Sequence, residues 1–178
     1  MIRLFAAFTL PESITADLSR RQKGILGARW RPLESLHVTL RFFGPLPENK
    51  ADDLDSELSA IAGRSFDLAL KGVGVFGEGA DVHAVWAGTA PCEPLTRLAR
   101  RCERAARRSG LKPERRAYRP HVTLAYLRNA ASDEVGTWIG QNNLLKSPSF
   151  TVSRFGLYSS WPGEDGAVYR LERAYSLS

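Results

Sequence analysis

The hydrophobic positions of this chain change rhythm along its length, from near-continuous or alternating runs to helical spacing and back. Residues 2–8 are almost wholly apolar, as in a buried strand, with Ile2, Leu4, Ala6 and Phe8 on one face. Thr9 followed three residues later by Glu12 has the form of a capping box, and Pro11 is tolerated in a first helical turn. A helix is therefore predicted over 11–23, ending at Gly24. An extended piece at Arg29-Trp30-Arg31 and a turn at 32–35 lead to a strand over 36–43, broken by Gly44-Pro45-Leu46-Pro47. A second helix over 48–62 would turn Leu54, Leu58 and Ile61 inward and stop at Gly63.

Strands over 66–75 and 82–87 flank the glycine-rich segment 76–81, which lacks the Lys-Ser/Thr ending of a phosphate loop and leads into a strand. A hairpin connection is the better reading. Residues 94–109 place Leu95, Leu98, Cys102 and Ala105 at helical spacing, opposite Arg97, Arg100, Arg101, Arg104, Arg107 and Arg108. Such a charged face is by default solvated, and contacts an RNA backbone only if it borders a cleft. A strand over 120–127, a short helix over 132–139 and strands over 149–159 and 167–177 complete the pattern. The order of elements in the first half nearly recurs in the second. We therefore expect an α+β fold, bilobal, with two pseudo-symmetric lobes of antiparallel sheet, helices outside and a central cleft.

Totals narrow this little further. A chain of 178 residues, 43% hydrophobic and 25% charged, is expected to form one domain over 1–178 with a substantial core. A net charge of +6 favours polyanionic partners such as nucleic acid. The two cysteines, Cys92 and Cys102, fall in or near one predicted helix and are read as free thiols. No run approaches a membrane span, and the apolar run at the amino terminus is too short for a signal peptide, so a cytoplasmic and soluble protein is expected; a monomer is the separate expectation for its assembly.

Chemistry enters through a repeat. His37-Val38-Thr39-Leu40 recurs letter for letter as His121-Val122-Thr123-Leu124, and 121 − 37 and 123 − 39 both give 84. On a strand, each His and its Thr share a face about 6.6 Å apart, while the Val and Leu point into the core. Polar side chains facing out of apolar strands are costly unless something polar meets them, and two such strands imply a shared polar cleft. Histidine titrates nearest neutrality, so one imidazole of a pair can act as base while the other acts as acid. Threonine hydroxyls beside them can donate to phosphate oxygens. In-line displacement at phosphorus suits this set, with a strained 2′,3′-cyclic phosphate a substrate that could be opened without a metal. One such tetrapeptide alone is most often a satisfied strand histidine; its duplication at matching places is what core packing does not require. His83 has no such motif and is read as structural or exposed, and Phe5, Trp86 and Tyr158 as core.

With these residues in view the chain resembles the 2H phosphoesterase superfamily, and within it the bacterial RNA 2′,3′-cyclic phosphodiesterases of the 2′-5′ RNA ligase family. The resemblance runs from Arg3-Leu4-Phe5-Ala6-Ala7-Phe8 through both motifs and Val85-Trp86-Ala87-Gly88 to Leu157-Tyr158-Ser159-Ser160 and Gly166-Ala167-Val168-Tyr169. It implies hydrolysis of an RNA terminal 2′,3′-cyclic phosphate to a 2′-phosphomonoester, with no cofactor and no metal. It further implies His37 as proton donor, His121 as proton acceptor, and Thr39 and Thr123 as phosphate-binding residues. Joining or cleavage of 2′-5′ linkages, and a non-catalytic module that binds RNA ends, are the alternatives. Relatives often carry Arg where this chain has Tyr126. Arg41, placed on the face of His37 by strand alternation, and Arg116, Arg119 and Arg128 are candidate replacements, and Tyr126 itself could stack on a base.

Overall fold

The computed structural model describes residues 1–178. Strand β1 (Ile2–Thr9) is the centre of the first sheet, in the order β10 (Val168–Ser176), β9 (Arg154–Trp161), β1, β3 (His37–Leu46). The second sheet runs β2 (Arg29–Trp30), β7 (His121–Tyr126), β6 (Ala84–Thr89), β5 (Leu70–Phe76). All pairings within both are antiparallel. Four helices accompany them, α1 (Glu12–Ser19), α2 (Glu48–Ser59), α3 (Glu93–Arg108) and α4 (Ser132–Asn142). This is the expected α+β architecture.

The halves interleave. β5 closes the first half but pairs with β6, the first strand of the second, while β9 from the second half pairs with β1 of the first. A two-stranded sheet of β4 (Phe66–Leu68) and β8 (Phe150–Val152) ties the halves again. Each half thus supplies a strand that pairs within the sheet of the other. One apolar cluster runs through both, from Leu4, Phe8 and Val38 by way of Leu54 and Leu95 to Val122 and Trp138. Burying each such aliphatic side chain is worth about 1.5–3 kcal/mol. α3 is amphipathic as predicted, with Leu95, Leu98, Ala99, Cys102, Ala105 and Ala106 buried, and packs on α2 and β3.

Several boundaries differ from expectation for identifiable reasons. α1 ends at Ser19 because residues 20–22 unwind into turns, where Gln22 Nε2 donates to the carbonyls of Arg31 (2.9 Å) and Leu124 (3.1 Å) and Trp138 Nε1 donates to Arg21 O (2.8 Å). No capping box forms, since Thr9 belongs to β1 opposite His37 and Pro11 opens the helix. α2 ends at Ser59, and Gly63 is no helix stop: a Cβ there would come within 2.9 Å of Leu177. The stretch predicted as one strand from 66 to 75 is two, because β4 pairs with β8 and β5 with β6. The connection from β5 to β6 is a hairpin, as expected. Gly44-Pro45 does not end the motif strand. Instead β3 bulges at Phe43, Gly44 takes φ +80°, and pairing with β1 continues to Leu46. No helix is long and apolar enough to cross a membrane.

Candidate active site

The two motif strands are built alike. Val38, Leu40, Val122 and Leu124 are buried, and His37, Thr39, His121 and Thr123 are each partly exposed. Both strands carry a one-residue bulge at the motif leucine: Thr39 and Arg41 oppose Ala7 and Ala6, leaving Leu40 unmatched, and Thr123 and Ala125 oppose Trp86 and Val85, leaving Leu124 unmatched. A bulge of this kind resets the alternation of side chains. Phe42, not Arg41, therefore follows His37 and Thr39 on their face, and Tyr126 follows His121 and Thr123.

Each histidine is oriented by the same local device. Nδ1 of His37 lies 2.7 Å from the carbonyl oxygen of Ser35, and Nδ1 of His121 lies 2.7 Å from that of Arg119, both two residues back. A carbonyl only accepts, so Nδ1–H donates in both rings and Nε2 is the atom left free to exchange a proton. The threonine hydroxyls form no hydrogen bond within the protein. Tyr118 Oη donates to Thr39 O at 2.8 Å and fastens the segment before the second motif to the first motif strand.

The surroundings of the rings differ. Around His37 are Phe5 at 5.2 Å between ring centroids and the edge of Tyr169 at 5.1 Å; Phe5 in turn stacks on Tyr158 and touches Phe42. Burial pulls the His37 imidazole down to about 4, against the opposing bond to Ser35 O, and the charges of Arg31 and His121 add to the lowering. His121 meets Phe76 at 4.8 Å and Trp86 at 5.9 Å. Its imidazole is also lowered, first by burial and then by the charge of Arg119, with the bond to Arg119 O opposing. That the His121 charge registers at His37 places the two rings in one electrostatic environment.

Beside them opens a cleft of about 690 Å³ whose walls include Thr39, Phe42, Phe76, Arg100, Arg116, Arg119 and His121. Phe42 is exposed, and the Arg119 guanidinium lies 6.0 Å from the Phe76 ring. Arg100 brings one turn of the arginine-rich helix face to this cleft. Exposed aromatics interleaved with cations can stack bases and hold phosphates.

The remaining sequence candidates differ in how free they are to meet a ligand. Arg41 is not on the His37 face; the bulge at Leu40 redirects it to α3, where it still borders the cleft but its guanidinium is bound by Glu103, Phe42 O and Lys112 O. Arg116 is exposed and held by Glu114, whose carboxyl it keeps low, at about 2. Arg128 is exposed, and so is His83, whose Nδ1 lies 3.2 Å from Asp81 O and whose ring stacks on Phe76. Phe5 is buried as expected, but on the cleft side of β1 beneath His37. Trp86 and Tyr158 are half-buried.

Arg31 was missed by sequence reasoning, which read it only as the end of the extended piece Arg29-Trp30-Arg31. It is the one charged residue of the chain that is buried, 6% exposed, and its Cζ lies 5.6 Å from the ring centres of both Tyr126 and Tyr169. The only sequence signal was its place just after Trp30, at the end of a strand too short to carry a pattern.

Comparison with known proteins gives the chain a family. The family model described as the 2′-5′ RNA ligase superfamily matches residues 10–163. A Thermus thermophilus protein named RNA 2′,3′-cyclic phosphodiesterase is 32% identical over 99% of this chain and 90% of its own. One of the same name from Methanothermobacter thermautotrophicus is 28% identical over 94% of this chain and 95% of its own. Among solved structures, E. coli LigT complexed with 3′-AMP superposes with a TM-score of 0.80 at 27% identity, covering 99% of this chain and 98% of that one. A match of 154 of the 178 residues to the family model, with both motifs inside it, settles kinship: the chain belongs to the 2′-5′ RNA ligase superfamily, the 2H phosphoesterases.

Proposed function

We propose that this protein is an RNA 2′,3′-cyclic phosphodiesterase, a hydrolase that opens the terminal cyclic phosphate of an RNA to a 2′-phosphomonoester. The observation that carries this reading is the pair of oriented imidazoles, each with Nδ1–H tied to a backbone carbonyl, Nε2 free and an unpartnered threonine hydroxyl beside it. Family membership and the names of the relatives support the same reaction class.

In the proposed reaction, His121 Nε2 takes a proton from water as the water oxygen attacks phosphorus in line. The bond from phosphorus to O3′ breaks, and His37, protonated at Nε2, gives that proton to O3′. One P–O bond forms and one is lost, leaving a 3′-hydroxyl and a 2′-phosphate. The imidazoles end with their protonation states exchanged, and solvent restores them. Thr39 and Thr123 donate to the non-bridging oxygens, where charge builds in the transition state. The cleft lined by Phe42, Phe76, Arg100 and Arg119 would hold the nucleotide and the RNA leading to it. Residues 1–178 act as one domain, a monomer with one site shared by its halves.

The ligand-free rings raise a question that the substrate answers. Both are lowered, and His37 needs its proton to act as donor. A phosphate anion a few ångströms away favours the charged imidazole, so the arriving substrate raises His37 toward the range in which it can carry the proton it donates. Incubation with cyclic-phosphate-ended RNA in EDTA should give turnover with a 2′-phosphate end and a bell-shaped pH profile. A 3′-phosphate product would reverse the proton roles. Retained RNA binding without turnover would make the protein a module for RNA ends.

A further inference from the structure

Buried charges in proteins are paired, because an ion removed from water without a counter-ion is strongly disfavoured. Arg41 has Glu103, Arg116 has Glu114, Arg173 has Asp55 and Arg108 has Glu57. Arg31 is more deeply buried than any of these and has no carboxylate. Its polar contacts are one bond from Nη2 to the carbonyl of Ala167 at 3.1 Å and the hydroxyl side of Tyr169, and its flanks are the rings of Tyr126 and Tyr169. Those contacts orient a guanidinium without neutralising it.

The place where it is held matters. Arg31 N donates to Leu124 O, so the residue leaves the backbone beside the second motif strand, at its bulge. Tyr126, over which it lies, continues the face of His121 and Thr123. Tyr169, its other flank, packs its edge against His37. The cation therefore spans between the two motifs, and its charge is felt at His37.

We propose that Arg31 is the anion-binding residue of the site: its guanidinium receives a non-bridging oxygen of the substrate's phosphate, and the missing counter-charge is supplied by the ligand. The inference rests on the reading of the site as a phosphoesterase and adds a buried cation to the exposed Arg100 and Arg119 of the cleft. Arg41 and Arg116 are engaged by carboxylates, whereas Arg31 is aimed between the motifs with its charge unspent. Tyr126 and Tyr169 act as its rails, holding the plane of the fork so that little freedom is lost on binding. Substrate binding and proton uptake are then coupled, because an anion on Arg31 offsets a charge that adds to the effect of burial on His37.

The test reads binding apart from turnover. Calorimetric titration of the full chain with inorganic phosphate and with adenosine 2′-monophosphate should show binding of both. Arg31→Gln should weaken both by about 10- to 100-fold, the range for a charge-assisted hydrogen bond, and Arg31→Lys should recover part of the loss. In the unaltered protein, the Nε–H resonance of Arg31 should shift as phosphate is added, a measurement that stands even if the Gln variant does not fold. Phosphate affinity in folded Arg31→Gln within about twofold of the parent, or an Arg31 Nε–H signal unmoved at saturating phosphate, would overturn the proposal. Phosphate binding through Arg31 in a protein that hydrolyses no cyclic phosphate would sink the proposed reaction and leave this assignment standing.

Discussion

The two halves set the same tetrapeptide on the same bulged strand, with the same hydrogen bond two residues back, and yet they hold their histidines differently. His37 is pressed between Phe5 and Tyr169 with Arg31 close by, and its imidazole is driven down to about 4. His121 opens onto the cleft beside Phe76 and Arg119 and is also lowered. Repetition makes two equivalent bases; unequal surroundings make them separable. In the protein alone the inequality disfavours a proton on His37, so the assigned roles require the phosphate of the substrate to favour the charged form of that ring.

Breaking either half should cost most. His37→Ala and His121→Ala are each expected to lower kcat on a 2′,3′-cyclic nucleotide by about 10³- to 10⁴-fold, and the double variant little further, because the two act as one unit. The halves part company on a phosphodiester with a p-nitrophenol leaving group, which departs without a proton. There His37→Ala should recover much of its rate and His121→Ala should not; equal rates for both would show that the roles are wrongly divided.

Stability supplies the next contrast. His37 binds a proton less well folded than unfolded, so between about pH 6.5 and 4 the unfolded chain takes up the extra proton and stability falls as pH falls, by about 3 kcal/mol in all. Urea midpoints followed over that window should lose most of this slope in His37→Gln. A slope unchanged by the substitution would place the acid sensitivity elsewhere.

Removal of one hydroxyl comes third. Thr39→Val and Thr123→Val should each lower kcat by about 10- to 100-fold with KM less affected, as for donors that strengthen in the transition state. The smallest effect is expected at the rim: Arg119→Ala, on an exposed cation, should weaken RNA binding by less than about 1 kcal/mol and reduce its salt dependence, while leaving a cyclic mononucleotide nearly unaffected.

How much of this could be read from the letters depends on how local each feature is. His37, Thr39, His121 and Thr123 were legible because duplication and strand alternation are properties of a few consecutive residues. α3 was legible because six buried positions recur at helical spacing. Arg41 was misread because alternation presumes an unbroken ladder, and the bulge at Leu40 exists only against β1. The end of α1 was misread because Gln22 is captured by Arg31 O and Leu124 O, the second a carbonyl 102 residues away.

The sequence by itself determined the chemistry on offer: two imidazoles and two hydroxyls on apolar strands, at a spacing that leaves each pair on one face. Tertiary structure alone decided which cation meets them and how unlike the two imidazoles become. Burial, ring contacts and the field of a distant charge are set by strands exchanged between the halves, and no window of neighbouring residues contains them.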